Sequence, residues 1–172
     1  MSSEAQVDFD RDRLRPLLDS GSSMFQLVSY EWERVDGALI TAALRMDRKL
    51  YKWSGARRLQ TWNMQDSRFD VVDEMMPVEM LEWFRDLDEK EILLLEDGHM
   101  LLDQNNTERG FIIWWLRELA RMTKSDNKCM ILGTVTPTTI LELDKEMPII
   151  ELDLPRRHTL GIIFDDVTDE AG

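Results

Sequence analysis

The sequence predicts a three-layer α/β domain built on a mainly parallel, five-stranded sheet. Short, continuous runs of large aliphatics closed by turn residues, such as EILLL at 91–95 and KCMILGTV at 128–135, are the pattern of strands buried on both faces. Between such runs lie stretches whose apolar residues recur at helical spacing. The two patterns alternate about four times before a last strand, and that alternation specifies a parallel sheet with helices on both faces.

The elements follow in order. Residues 1–23 are polar, and SGSS at 20–23 reads as a flexible linker, so a flexible amino-terminal arm is expected, with at most a short helical turn at 12–18. Strand one is Met24–Ser29, and Val35, Leu39, Ala42, Ala43 and Met46 form the core stripe of the helix after it. Strand two is Lys49–Ser54. The stretch 55–74 has no clear periodicity. Pro77 suits the first position of a helix whose stripe is Met80, Leu81, Phe84 and Leu87. Glu91–Leu95 is strand three. Thr107 can cap the next helix, with Ile112, Trp115, Leu116, Leu119 and Met122 facing the core and Trp114 turned outward beside Arg117 and Arg121. Lys128–Val135 and Met147–Leu152 are strands four and five; one more short helix is expected after Pro155, and 165–172 is an acidic tail. The domain proper is expected to span 24–164.

Composition narrows the function. With 34 acids against 21 bases the net charge is −13, which argues against nonspecific binding to nucleic acid or to an anionic membrane. No apolar run approaches the roughly 20 residues of a membrane span. The start MSSEAQVDFD has neither the basic segment nor the apolar core of a signal peptide, and Cys129 is the only cysteine. A cytoplasmic location is therefore expected, with no membrane partner.

The acids Glu96 and Asp97 close strand three, and the carboxyl edge of a parallel sheet is where α/β proteins place their chemistry. In nucleotide-hydrolysing members that position holds the magnesium-binding acid. A phosphate cradle would also need several glycines, a lysine and a Ser/Thr after strand one. This chain has Tyr30, Glu31, Trp32 and Glu33 there, two carboxylates that repel phosphate and two aromatics that block backbone approach. Without the nucleotide a magnesium ion loses half its ligands, so a solvated acid pair outweighs a metal site, and no metal or catalytic residue is assigned. His99 and His158 have no ligand spacing between them, and Cys129 reads as a small core residue. Arg57, Arg58 and Trp62 form the most basic and aromatic spot, a candidate protein or, more weakly, nucleic-acid contact weighed evenly against a loop folded back on the sheet. Trp114 on a polar helix face needs a cover: the 57–73 loop, the amino-terminal arm or a partner.

SYEWERV after strand one, YKWS with its following arginines, EILLLEDGHMLLD, LRELAR and the ELDLPRRHTL exit together resemble the amino-terminal domain of Ycf46-type AAA-family ATPases, over about 25–164. The resemblance implies a RecA/AAA-like core that lacks a P-loop. It implies that Glu96–Asp97 keeps the Walker B place in reversed order, and that Thr134 or Thr136 lies at the sensor position. Arg156 and Arg157 match an arginine finger in placement only, and stand with Arg57, Arg58, Trp62 and Trp114 as partner-binding candidates. It also implies that a helical lid and an intact ATPase domain follow in relatives, so ATP and magnesium would enter only with such a downstream domain. The expected function is a non-catalytic assembly or adaptor module, possible front half of a two-domain ATPase, with a protein partner that is either itself or an AAA ATPase subunit. The alternative is a magnesium-dependent enzyme or ATPase acting through the strand-end acids on a phosphorylated substrate.

Overall fold

A computed structural model describes residues 4–87, 90–126 and 128–152. Side chains are described from residue 12 onward, except those of 122–126. The sheet has seven strands in the order β4-β3-β2-β5-β6-β1-β7. Five of them, β1 (Met24–Val28), β2 (Lys49–Ser54), β5 (Glu91–Leu95), β6 (Cys129–Thr134) and β7 (Ile149–Glu151), are parallel and match the five expected strands. Their spatial sequence, with the first strand between the fourth and fifth and the second beyond the third, is that of a RecA/AAA-like core.

Two packed layers flank the sheet, and side-chain alternation decides which residue serves which layer. On one face Phe25, Leu27, Leu50, Ile92, Leu94 and Ile131 meet α2 (Trp32–Arg45). On the other face Tyr51, Trp53, Leu93, Leu95, Met130 and Leu132 meet α3 (Pro77–Asp86) and α5 (Arg109–Asp126). Each strand of the central four is thus apolar on both sides, which is why its sequence reads as a continuous run. Pro77 opens α3 as expected. The α5 helix begins two residues after the expected cap, because the Asn106 side chain accepts from the Glu108 amide at 3.0 Å and so holds the turn before it.

Two expectations change. The polar amino terminus forms α1 (Glu4–Asp19), not a flexible arm: Leu14 and Leu18 are buried in the α2-side core. Leu14 and Leu18 sit four apart, on one face, and burial of that face outweighs the low hydrophobicity of the rest and Pro16 within the helix. The aperiodic stretch after β2 is a hairpin, β3 (Arg58–Asn63) and β4 (Arg68–Asp73), that adds two antiparallel strands to the sheet edge. Asn63 builds its turn, accepting from the amides of Gln65 and Asp66 and donating to Asp70 Oδ2 at 2.7 Å. The expected helix after Pro155 and the acidic tail lie outside the described residues.

If α1 belongs to the folded unit, Leu14→Ala lowers the unfolding free energy by about 2–5 kcal/mol. Chemical denaturation followed by circular dichroism measures this; a loss under about 0.5 kcal/mol, the range of surface substitutions, would mean that the helix is a loosely attached arm.

Candidate functional site

The carboxyl edge of the central strands is arranged around Lys52, a residue on which the sequence alone put no weight. Lys52 stands on β2 and is only 3% exposed. Strand alternation turns it to the same face as Leu50, toward α2. There its ammonium donates to Asp36 Oδ2 at 2.7 Å and lies 3.4 Å from Glu96 Oε1. The ring of Phe69, on β4, covers it at 3.9 Å from the centroid. Four elements (α2, β2, the end of β5 and the hairpin) therefore converge on one buried cation.

Glu96, at the end of β5, is thereby paired with a lysine of its own chain. Burial pushes its carboxyl above the ordinary range, opposed by the charge of Lys52 and reinforced by Asp36. Its amide continues the β2–β5 ladder by donating to Trp53 O at 2.9 Å. Asp97 follows in a left-handed conformation, φ 54°, and starts the single turn α4 (Gly98–Leu101). Thr134 is fully buried at the end of β6, but alternation places it with Met130 and Leu132 on the α3/α5 side of the sheet. The sheet thus separates it from Glu96. Its hydroxyl has no hydrogen-bond partner, and neither have Asp36 Oδ1 and His99 Nδ1. Thr136 is exposed. Burial drives the Cys129 thiol up to about 12, so it is an inert core residue.

The junction of β1 and α2 is three residues long: Ser29, Tyr30 and Glu31. Ser29 Oγ accepts from the Glu31 amide at 3.1 Å, and the Glu31 carboxylate receives Arg34 Nη1 at 2.8 Å. Trp32, opening α2, lays its indole against Gly133 of β6. A β-carbon on Gly133 would stand 2.7 Å from the indole and 3.1 Å from Leu95 O. The glycine is there because the tryptophan needs the space. A phosphate-cradling loop wraps backbone amides around an anion at this same strand-to-helix turn; here the turn is tight and an indole fills the region beside it.

The remaining candidates scatter. Arg57 is exposed and Arg58 half-exposed at the β2–β3 turn, whereas Trp62 lies at the far end of β3, packed edge-to-face on Phe69 with centroids 5.1 Å apart. At roughly 3.3 Å per strand residue the arginines and the tryptophan do not share one patch. Trp114 is 54% exposed and rests edge-to-face on Trp115. Neither expected internal cover reaches it, since α1 packs on α2 and the hairpin extends the sheet edge beyond β2. Arg156 and Arg157 lie outside the described residues. Among the described residues no cluster of His, Cys, Asp and Glu could hold a metal ion, and no helix is long and apolar enough to cross a membrane.

Two consequences can be measured. Lys52→Met leaves the buried Glu96 and the half-buried Asp36 without their cation and costs about 3 kcal/mol of stability at pH 7. Because the folded-state pKa of Glu96 is raised, its contribution is fully present below its ordinary value of 4.5 and is lost as pH rises through the raised one. Denaturant melts across that window show the decline in the native chain and its absence in Glu96→Gln. Separately, Gly133→Ala destabilises the chain by about 1–3 kcal/mol through the clash with Trp32, and the loss is smaller when Trp32→Ala is already present. A simple sum of the two single losses would place the indole elsewhere.

Comparison with known proteins adds a family. A family model described as "SpoVK-like AAA ATPase, N-terminal domain" matches residues 10–152. No curated protein matches the chain. Among solved structures, one similar chain comes from the structure of Drosophila ORC bound to DNA, with 11% identity, a TM-score of 0.48, and coverage of 91% of this chain and 98% of that one. Another, from Drosophila ORC bound to AT-rich DNA and Cdc6, has 13% identity, a TM-score of 0.46, and coverage of 92% and 61%. Likenesses this faint carry no weight for fold or function. The family match spans most of the chain, including every strand of the parallel sheet, and the chain belongs to the SpoVK-like AAA ATPase N-terminal domain family.

Proposed function

We propose that this chain is a non-catalytic AAA-like domain, an assembly or adaptor module that docks to a protein partner. The observation that carries the reading is the Lys52–Glu96–Asp36 cluster: the acid at the Walker B place is already neutralised by a buried lysine of its own chain. The three-residue β1–α2 junction and the indole on Gly133 support it. So does the sequence, in which no glycine is followed by lysine. The partner is a second copy or an AAA ATPase subunit, and exposed aromatics such as Trp114, Phe111 and Tyr30 are the surfaces it would cover. On this reading ATP and magnesium belong to a downstream domain of a two-domain ATPase of the Ycf46 type, working in the cytoplasm. The net charge of −13 disfavours a polyanionic partner.

One observation favours a second reading, magnesium-assisted chemistry on a phosphorylated substrate. Asp97 sits in a strained left-handed conformation at the strand end, and the nearby edge holds buried polar atoms without partners. That reading predicts that Asp97→Asn abolishes a phosphohydrolase activity without unfolding the chain.

Isothermal titration of the purified chain with ATP and magnesium decides between the two. The module reading expects no saturable heat at millimolar nucleotide, and tight binding would sink it.

A further inference from the structure

The outer face of α5 carries an apolar stripe that none of the described residues covers. Phe111 and Trp114, one turn apart, are 70% and 54% exposed, and the exposed Arg117 and Arg121 continue the line along the helix. Arg121 shares a solvent-exposed ion pair with Glu118 at 3.2 Å, whereas Arg117 has no ion pair among the described residues. Because α5 joins the parallel strands β5 and β6, it descends from the carboxyl edge of the sheet, and Phe111 stands near that edge. The last strand, β7, ends at the same edge, where the Leu152 amide donates to Val28 O at 3.0 Å. Between β7 and α5 the connection from β6 to β7 crosses β1 on the α3/α5 side of the sheet. There the Thr138 amide donates to Gln26 Oε1 at 3.2 Å, and Ile140 and Leu143 enter the core. Its Leu141, Glu142 and Asp144 are exposed, and neither acid has an ion pair among the described residues.

Residues 153–172 lie outside the described residues, and only their sequence enters here. It places Arg156 and Arg157 first, then Leu160, Ile163, Phe164 and Val167 at helical spacing, with Asp165, Asp166, Asp169 and Glu170 at the far end. The order is basic, apolar, acidic. The surface met on leaving Leu152 has the complementary order: acidic at Glu142 and Asp144, apolar at Phe111 and Trp114, basic at Arg117 and Arg121. We propose that this segment folds back across the β6–β7 connection and docks along α5 of its own chain, laying its apolar stripe on Phe111 and Trp114. Its carboxylates then meet Arg117 and Arg121, and its two arginines meet Glu142 and Asp144. The reach suffices. Leu160 lies eight residues past Leu152, a span of about 26 Å when extended. Two strand spacings, about 10 Å, separate β7 from β6, and the helix layer adds about 10–12 Å. A helix this short does not hold in water alone, so its stripe needs a surface, and docking removes the exposed aromatics from water as well. A second copy offers the same segment, but attachment to the same chain gives the intramolecular one the higher effective concentration. A partner that uses Trp114 must therefore displace it. The inference concerns contacts within the chain and stands apart from the module reading.

Fluorine NMR of the full chain labelled with fluorotryptophan tests it. The Trp114 resonance is the one lost in Trp114→Phe, and broadening by a soluble paramagnetic agent reports its exposure. In the native chain the agent leaves Trp114 as sharp as the buried tryptophans, and Ile163→Asp/Phe164→Asp makes it the most broadened. Arg117→Glu/Arg121→Glu, at two exposed sites, shifts the docked-to-free ratio about tenfold toward free, as reversing two surface pairs should. Adding Asp165→Arg/Asp166→Arg to that variant restores the protection, which a merely damaged helix would not do. Far-UV circular dichroism stays native in each variant. Three results overturn the proposal: a native Trp114 as exposed as in Ile163→Asp/Phe164→Asp, a charge reversal that the second reversal does not rescue, or protection that vanishes on dilution, which assigns the cover to a second copy.

Discussion

A sheet whose central strands are buried on both faces tolerates a charge only where the fold supplies its counter-charge. Lys52 is that case here. Taking an ammonium out of water costs several kcal/mol even after relaxation, and this one is compensated by two carboxylates and an aromatic face. Because the partners come from α2, the end of β5 and β4, the lysine fixes how the helix layer and the hairpin sit against the sheet. Removing the cation would not merely delete a contact; it would leave the carboxylates of the half-buried Asp36 and the buried Glu96 without their counter-charge.

That arrangement also sets what the carboxyl edge can do. In RecA/AAA-like domains a nucleotide brings negative charge to this edge, and the protein answers with a lysine, a magnesium ion and backbone amides. Here the negative charge is internal: Asp36 and Glu96 face the ammonium, Glu31 faces Arg34, and the indole of Trp32 occupies the space above Gly133. The edge keeps its strand order and its acid while its electrostatics are closed upon themselves.

Much of the fold was legible. All five parallel strands could be placed from their continuous aliphatic runs, since a strand covered on both faces has no solvent side on which polar residues would interrupt it. The helices with strong stripes followed for the same reason. The hairpin escaped because an edge pair is half wet: Leu59 alone is deeply buried there, and Trp62 and Phe69 alternate with Arg, Asp and Asn. The first helix escaped because two leucines, with Pro16 between them, carry its packing. In the site, the position of Glu96 and Asp97 at the end of a strand was readable because strand ends are local. Lys52 was not, for KLYKWS could equally be a strand with its lysines in solvent.

By itself the sequence determined the layer architecture and the strand positions, which follow from short-range patterns of apolarity. Only the tertiary structure decided which charges meet. Asp36, Lys52 and Glu96 come from three separate stretches of chain, and their pairing depends on parallel register, on α2 lying over β2 and on the hairpin folding across them. Separating Trp62 from Arg57 and Arg58 is likewise a matter of strand length. Local sequence records which groups are polar; burial and register determine what each one finds opposite it.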